Sequence, residues 1–418
     1  VPRFAATTSD ADLPDTARAQ RRVLTVLVAA QILSGAGLAA GITVGALLAQ
    51  DMLDSTSMAG LPSALFTAGS ALAAIGVGRI SQRYGRRPGL ATGYLIGAIG
   101  SVGVLVAAVS DNVVLLFITL FVYGAGTATN LQARYAGADL ATASHRGRAV
   151  STVLVATTLG GVVGPNLAAP TGSLAQALGI PYLAGPFMLA AVAYALAALV
   201  LAVWLRPDPL LLARSLGDTD PIVTHTTAGV PVAESRKGIA VGGLVMALTQ
   251  LVMVAIMTMT PVHMHNHGHG TAATGLVIAI HVGAMYLPSP LTGWLADRYG
   301  RLPVAAASGV TLLAAGVLAA TAPSDSVAVL ALALALLGLG WNLGLVAGTA
   351  IITDTVPLAT RAKTQGTVDV SIAIAGATGG MGSGLMVAAT SYPVLALAGG
   401  VLAVAVVPIA AFTARRNT

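Results

Sequence analysis

The sequence predicts an all-α membrane protein with twelve transmembrane helices in two six-helix halves. Three observations carry this. Apolar runs of span length recur along all 418 residues, the basic residues segregate to one side of a threaded bilayer, and the first half repeats in the second. The chain is 56% hydrophobic and only 9% charged, with a mean hydropathy of +0.85. A soluble protein of this length needs far more polar surface. Lipid requires every backbone polar group to be satisfied internally, so continuous apolar runs become helices. A β-barrel is excluded because its strands would alternate apolar and polar residues.

Spans are expected at about 23–49, 58–80, 88–109, 113–136, 149–170, 183–205, 239–262, 272–293, 303–322, 327–350, 364–388 and 392–413. With the N-terminus inside, all 21 Lys and Arg then fall on the cytoplasmic side, including Arg3, Arg18, Arg21, Arg22, Arg415 and Arg416. The outer loops carry histidines and acids such as Asp51, Asp54, Asp111 and Asp325. This is the positive-inside bias carried to completion, and one missed helix would reverse the later charges. The pI near 9.9 therefore reflects topology and gives no reason to expect nucleic acid. The lipid bilayer is the expected environment, in the bacterial inner membrane, with both termini cytoplasmic and the monomer as the working unit. With no cysteine, disulfides and thiolate ligands are ruled out.

The expected organisation is a cytoplasmic tail over 1–22, whose first 20 residues are polar and expected to be disordered, a six-helix bundle over 23–206, a cytoplasmic linker over 207–238, a second bundle over 239–414 and a short cytoplasmic tail over 415–418. The repeat fixes the division. At an offset of 215 residues (293 − 78), Gly78, Arg83, Tyr84, Gly85, Arg86 and Pro88 match Gly293, Arg298, Tyr299, Gly300, Arg301 and Pro303. Asp139 matches Asp354, Arg146 matches Arg361, and Gly161 and Gly164 match Gly376 and Gly379. Two parallel halves related by an axis along the membrane normal follow.

The segment from Gly78 through Arg83, Gly85 and Arg86, with its second copy from Gly293 through Asp297, Arg298, Gly300 and Arg301, resembles the signature loops of the major facilitator superfamily. The resemblance covers essentially the whole chain and implies a transporter whose signature loops gate the inner side. Gln82 stands where members usually carry Asp, and Asp297 keeps the acid in the second copy. Gly160, Gly161, Gly164 and Pro165 resemble the fifth-span motif of proton-coupled exporters.

Unusual chemistry is concentrated in spans seven and eight. Six of the 11 methionines and five of the seven histidines lie between 246 and 285. Met253 and Met257 are four apart and share a helix face, as do His281 and Met285. A short outer segment joins the two spans, which are expected to be neighbours. The four side chains then fall near mid-membrane, where transporters of this architecture bind substrate. Neutral thioether and imidazole suit Cu(I), whereas calcium, magnesium and manganese want oxygen. The connector residues His263, Met264, His265, His267 and His269 read as a metal-capture segment at the outer mouth. Methionine in a membrane helix is ordinarily packing filler; two matched pairs beside a histidine-rich mouth go beyond that role.

This Met-x-x-x-Met and His-x-x-x-Met pairing resembles the CalT, or CcoA-like, copper-acquisition branch of the superfamily. The resemblance implies copper import, with Met253, Met257, His281 and Met285 as its ligands and copper as cargo rather than cofactor. Importers of that branch also use cysteines, which this chain lacks. Asp369, inside span eleven, and Asp139, at the inner end of span four, are candidates for proton coupling, or for ion pairs that hold the inner gate. Two other readings stay open: a proton-coupled exporter of drug-like organic solutes, and a membrane metal sensor. No nucleophile–base pair, nucleotide loop or closed zinc motif supports an enzyme.

Overall fold

The computed structural model describes residues 12–53, 61–219, 232–323 and 326–409. The first half contains α1 (Asp12–Leu53), α2 (Leu61–Tyr84), α3 (Arg86–Val109), α4 (Val113–Ala138), α5 (Arg146–Asn166), the short α6 (Ala168–Ala177) and α7 (Gly185–Trp204). After α8 (Pro209–Thr219) come α9 (Val232–Asn266), α10 (Thr271–Tyr286), α11 (Ser289–Tyr299), α12 (Arg301–Thr321), α13 (Val327–Thr355), α14 (Arg361–Ala389) and α15 (Tyr392–Ala403). Eleven stretches among the described residues are long and apolar enough to cross a membrane. The other expected span, 149–170, falls on α5, several of whose side chains lie outside the described set.

Each half closes on itself. In the first, α1 packs on α5 and α7, and α3 packs on α4 and α7. In the second, α9 packs on α14 and α13, while α12 packs on α13 and α15. The two cores differ in substance. The first is built around Tyr94, Tyr123, Phe187 and Tyr194, with ring centroids 5.4–5.7 Å apart. The second replaces that aromatic stack with Met246, Met253, Met264 and Met285 among leucines and Trp341.

Three sequence expectations need correction. The expected disordered tail is helical from Asp12 onward, because α1 continues past the membrane and Gln20 Nε2 donates to Gly137 O of α4 at 2.8 Å. The seventh span is longer at both ends, running to Asn266 as one helix despite Pro261. The eighth is two helices, broken at Leu287–Pro288, where proline withholds a backbone donor. The inter-bundle segment is partly helical through α8; its residues 220–231 lie outside the described set, as do Arg415 and Arg416.

The halves meet through two seams, α2 against α14 and α5 against α11, both at the end of the molecule that carries the basic residues. A Cβ at Gly78 would sit 2.8 Å from Ala362 O, and one at Gly293 would sit 2.3 Å from Ser151 Oγ. Toward the histidine-bearing end of α14, by contrast, Gly382 and Gly384 have nothing within 4 Å of that position. Among the described residues, the close contacts between the halves thus lie at the basic end.

The turns between α2 and α3 and between α11 and α12 require glycine. Gly85 has φ 100° and ψ 169°, and Gly300 has φ 97° and ψ 160°, a region closed to residues with a Cβ. Only Gly85 is also crowded, since a Cβ there would lie 2.4 Å from Asp208 Oδ2. Gly85→Ala is therefore expected to lower stability by more than the ~1–3 kcal/mol of backbone strain alone, and Gly300→Ala by about that strain. Thermal unfolding of the detergent-purified variants, followed by monodisperse elution, checks the order. Equal losses would contradict it.

Candidate functional site

The basic-end seal is built twice, once per repeat, by helix capping across the seams. Asp297, on α11, accepts from Gly147 N at 2.8 Å and from Arg148 N at 3.0 Å, at the start of α5. Gln82, its counterpart on α2, accepts from Ala362 N at 2.8 Å and Lys363 N at 3.3 Å, at the start of α14. First-turn amides have no partner within their own helix, so a side chain from the opposite half satisfies them. The amide loses the charge that Asp297 offers the helix dipole. It gains a donor, and Gln82 Nε2 bonds Ala359 O at 2.6 Å and Leu358 O at 3.2 Å.

Behind each cap stands an Arg–Asp–Arg group that crosses the seam. Arg86 Nε donates to Asp139 at 2.7 Å, and Arg361 of the other half approaches the same carboxylate at 3.9 Å. In the second copy Arg301 contacts Asp354 at 3.1 Å and Arg146 contacts it at 2.5 Å. The side chains of Arg86 and Asp139 are fully buried, whereas Asp354 is 30% exposed. Arg83 and Arg298, expected among the gating residues, are exposed and take no part in these ion pairs among the described residues; Arg83 lies over the ring of Tyr84.

Deeper in, one further ion pair bridges the bundles. Arg134 Nη2 donates to Asp369 Oδ1 at 2.7 Å, both side chains being buried, and Tyr135 OH donates to the same oxygen at 3.1 Å. Arg134 also bonds Thr349 Oγ1 at 3.0 Å, the residue that matches it in the repeat (134 + 215). Asp369 Oδ2 has no partner among the described residues. Tyr135, Thr349 and Arg361 were not legible as site residues, since nothing in a linear sequence pairs α4 with α14. The 215-residue offset did mark Arg146 and Arg361 as equivalents.

The methionine–histidine residues lie in the second half, and their arrangement corrects one expectation. α9 and α10 touch each other only slightly; α10 packs mainly on α13, and α9 packs on both α14 and α13. Small residues on α13 cause this. A Cβ at Gly338 would lie 2.5 Å from His281 O, one at Gly344 2.5 Å from Thr249 Cγ2, and one at Gly348 2.5 Å from Met246 Cγ. These contacts also set the register. Counting outward from Thr249 brings Met253 level with about residue 340 of α13 and Met257 with about 336. Met285 lies beside Gly338, and His281 Nδ1 bonds Leu334 O at 2.8 Å. The four donors therefore fall within ~9 Å of one another along the α13 axis, at ~1.5 Å per residue.

Met253, Met285 and His281 are buried and Met257 is half-buried. A carbonyl only accepts, so His281 Nδ1 carries the proton and Nε2 presents its lone pair. That atom is buried without a partner among the described residues. Asn342 holds the break in the eighth span, donating to Met285 O at 2.8 Å and Ser289 Oγ at 2.6 Å and accepting from Thr292 at 2.6 Å. Trp341 Nε1 donates to Gln250 Oε1 at 2.6 Å, and its ring meets Tyr286 edge-on. Among the described residues, no three His, Asp or Glu side chains gather where a metal ion could sit.

At the outer end, the expected capture segment is not a loop. His263 and His265 belong to α9, which ends in a Schellman cap: His269 N bonds Met264 O at 3.1 Å and Gly268 N bonds His265 O at 3.0 Å, with Gly268 at φ 79°. Helical periodicity then separates the residues. Met264 is fully buried in the bundle core and is thereby removed from the mouth. His263 and His267 share a face, His265 points elsewhere, and His269 lies beyond the cap.

The profile of the Major Facilitator Superfamily matches residues 27–285 and 242–418. The chain belongs to this superfamily. It is 57% identical to the uncharacterized MFS-type transporter YdeG of Bacillus subtilis, over 95% of this chain and 93% of that one. It is 32% identical to the riboflavin transporter RfnT of Brucella anthropi, over 84% of this chain and 86% of that one. Among solved structures it is similar to the human organic anion transporter MFSD10, with TM-score 0.77 at 16% identity, covering 94% and 99% of the two chains. The proton:xylose symporter XylE gives a TM-score of 0.72 at 18% identity, covering 94% and 95%.

The Arg134–Asp369 pair exists only while the basic end is sealed. Asp369→Asn leaves Arg134 buried without its countercharge in that state, at a cost of about 3–5 kcal/mol. Opening relieves it. A single cysteine at Ser151, which faces Gly293 across the seam, reports on this in a chain with no native cysteine. Its labelling from the basic side is expected to rise at least roughly tenfold in the Asp369→Asn background. An unchanged rate would show that the pair does not hold the seal.

Proposed function

We propose that this superfamily transporter carries copper, as Cu(I), from the histidine-bearing side of the membrane to the basic side, which is the cytoplasm. The observation that carries the reading is His281. Its imidazole is oriented by Leu334 O through Nδ1, leaving an Nε2 with no partner among the described residues, at a depth along α13 similar to that of three thioethers. Imidazole ligands of metals are commonly fixed in this way by a backbone carbonyl on the second nitrogen. Thioether and imidazole without carboxylate suit a soft monovalent ion and release it without reprotonating a thiolate. The histidine-bearing end faces the incoming ion. Rocking of the bundles about the α13 layer closes that end and parts the seams at the other.

In this reading Asp369 and Asp139 have their first role in the seal. Asp369, with one oxygen unpartnered, is the carboxylate positioned to take a proton once Arg134 withdraws.

A second reading has its own support. RfnT is named for riboflavin transport, and Trp341, Tyr286 and Gln250 offer this chain aromatic faces and an amide of the kind that holds a planar organic solute.

Radioactive-copper uptake into vesicles reconstituted with the purified chain separates the two. Uptake is expected to be competed by silver, to be insensitive to zinc, and to fall to the level of empty vesicles in the Met257→Ala/His281→Ala variant. Normal copper uptake by that variant, or saturable riboflavin uptake without copper uptake, would overturn the copper reading.

A further inference from the structure

The outer end of α9 carries a second arrangement of soft and imidazole donors, separate from the mid-membrane layer. Met259, His263 and His267 follow one another at intervals of four and stand in one stripe, because the helix continues to Asn266 and its cap keeps the following residue in register. The stripe opens on a cavity of about 310 Å³ between α9 and the start of α15, lined also by Asn266, Ser391 and Tyr392. Its lining is mainly apolar, with the two imidazoles among its few polar groups.

The rings are held in place. His263 stacks on Tyr392, with centroids 4.3 Å apart and planes 17° apart, and Tyr392 is fixed by a 2.9 Å hydrogen bond between its hydroxyl and Thr260 Oγ1. His267 Nδ1 bonds His263 O at 2.7 Å, which makes it the protonated nitrogen and leaves Nε2 as a ligand. The two imidazoles have centroids 4.3 Å apart. Two rings bound to one ion through nitrogen at ~2.0–2.1 Å, in a bent arrangement, stand about 5 Å apart. A small side-chain rotation admits the ion. Two solvated histidines with no task would need neither the stacking tyrosine nor a methionine one turn below.

We propose that Met259, His263 and His267 form an entry site for one soft transition-metal ion, Cu(I) or its mimic Ag(I), at the mouth of the transporter. The ion is gripped by two imidazoles and a thioether and passed inward toward the mid-membrane layer; Met257, two residues from Met259, faces another side of the helix. His265 and Met264 are outside the site. The proposal rests on the copper reading only for the identity of the cargo. The site is modest by construction, since one of its histidines is exposed to solvent, and an entry site must let go.

The test is equilibrium titration of the full-length chain in detergent with Ag(I), and with Cu(I) from a competing chelator, alongside vesicle uptake. The His263→Ala/His267→Ala variant is expected to bind one ion fewer than the native chain. Its uptake is expected to persist at saturating copper with a KM raised severalfold. Met259→Leu weakens the same event, and His265→Ala leaves it unchanged. The Met257→Ala/His281→Ala variant is expected to keep the outer ion, so loss of uptake there reports on the mid-membrane layer alone. Native stoichiometry and KM in a monodisperse His263→Ala/His267→Ala variant would overturn the entry site, as would an equal loss in His265→Ala.

Discussion

Everything in this structure depends on how two bundles that share no covalent framework beyond a single linker satisfy each other's helix ends. An α-helix begins with amides that its own backbone cannot pair, and at the low-dielectric edge of a membrane such groups are costly. Here the first turns of α5 and α14 are completed by Asp297 and Gln82 from the opposite half. The bundles are therefore joined by groups that must find another partner, such as water, each time they separate. Closure is specific because the partner is a pair of backbone amides at one register. It is reversible because water can replace the cap.

Much of the fold was legible in the sequence because membranes impose few solutions. Run length, charge segregation and the 215-residue repeat fixed the number of halves, the helical class and the equivalence of the two loops. What escaped depends on tertiary contact. The extension of α9 to Asn266 was hidden because Pro261 and a polar histidine stretch look like an ending, yet the helix continues and is capped by Gly268. The adjacency of spans seven and eight was inferred from a short connection. Gly338, Gly344 and Gly348 instead draw both helices onto α13. Gln82 departs from the usual Asp, and sequence alone did not show that its amide caps α14 as Asp297 caps α5.

The two cores show how an internal repeat diverges. One half keeps a stack of tyrosines and a phenylalanine; the other puts methionines in the corresponding interior. Both fill space. The second concentrates lone pairs on sulfur, and it does so beside the one buried histidine among the described residues. Candidate ligands could be read from sequence because they replace residues whose only task is volume. Their layering against α13 could not, since it follows from where small residues allow close approach.

The two seams are unlike in one further respect. Along α2 and α14 the charged trio is dry and the cap is neutral; along α5 and α11 the trio is wetted and the cap is an anion. Mobile ions screen the second and scarcely reach the first. The two latches thus respond to different surroundings: the salt of the adjoining water loosens one, and only displacement of packed backbone loosens the other. Separation then has a sequence, beginning as a hinge-like peel from the hydrated edge and ending at the dry one, so that the passage first appears as a lateral slit rather than a widening pore.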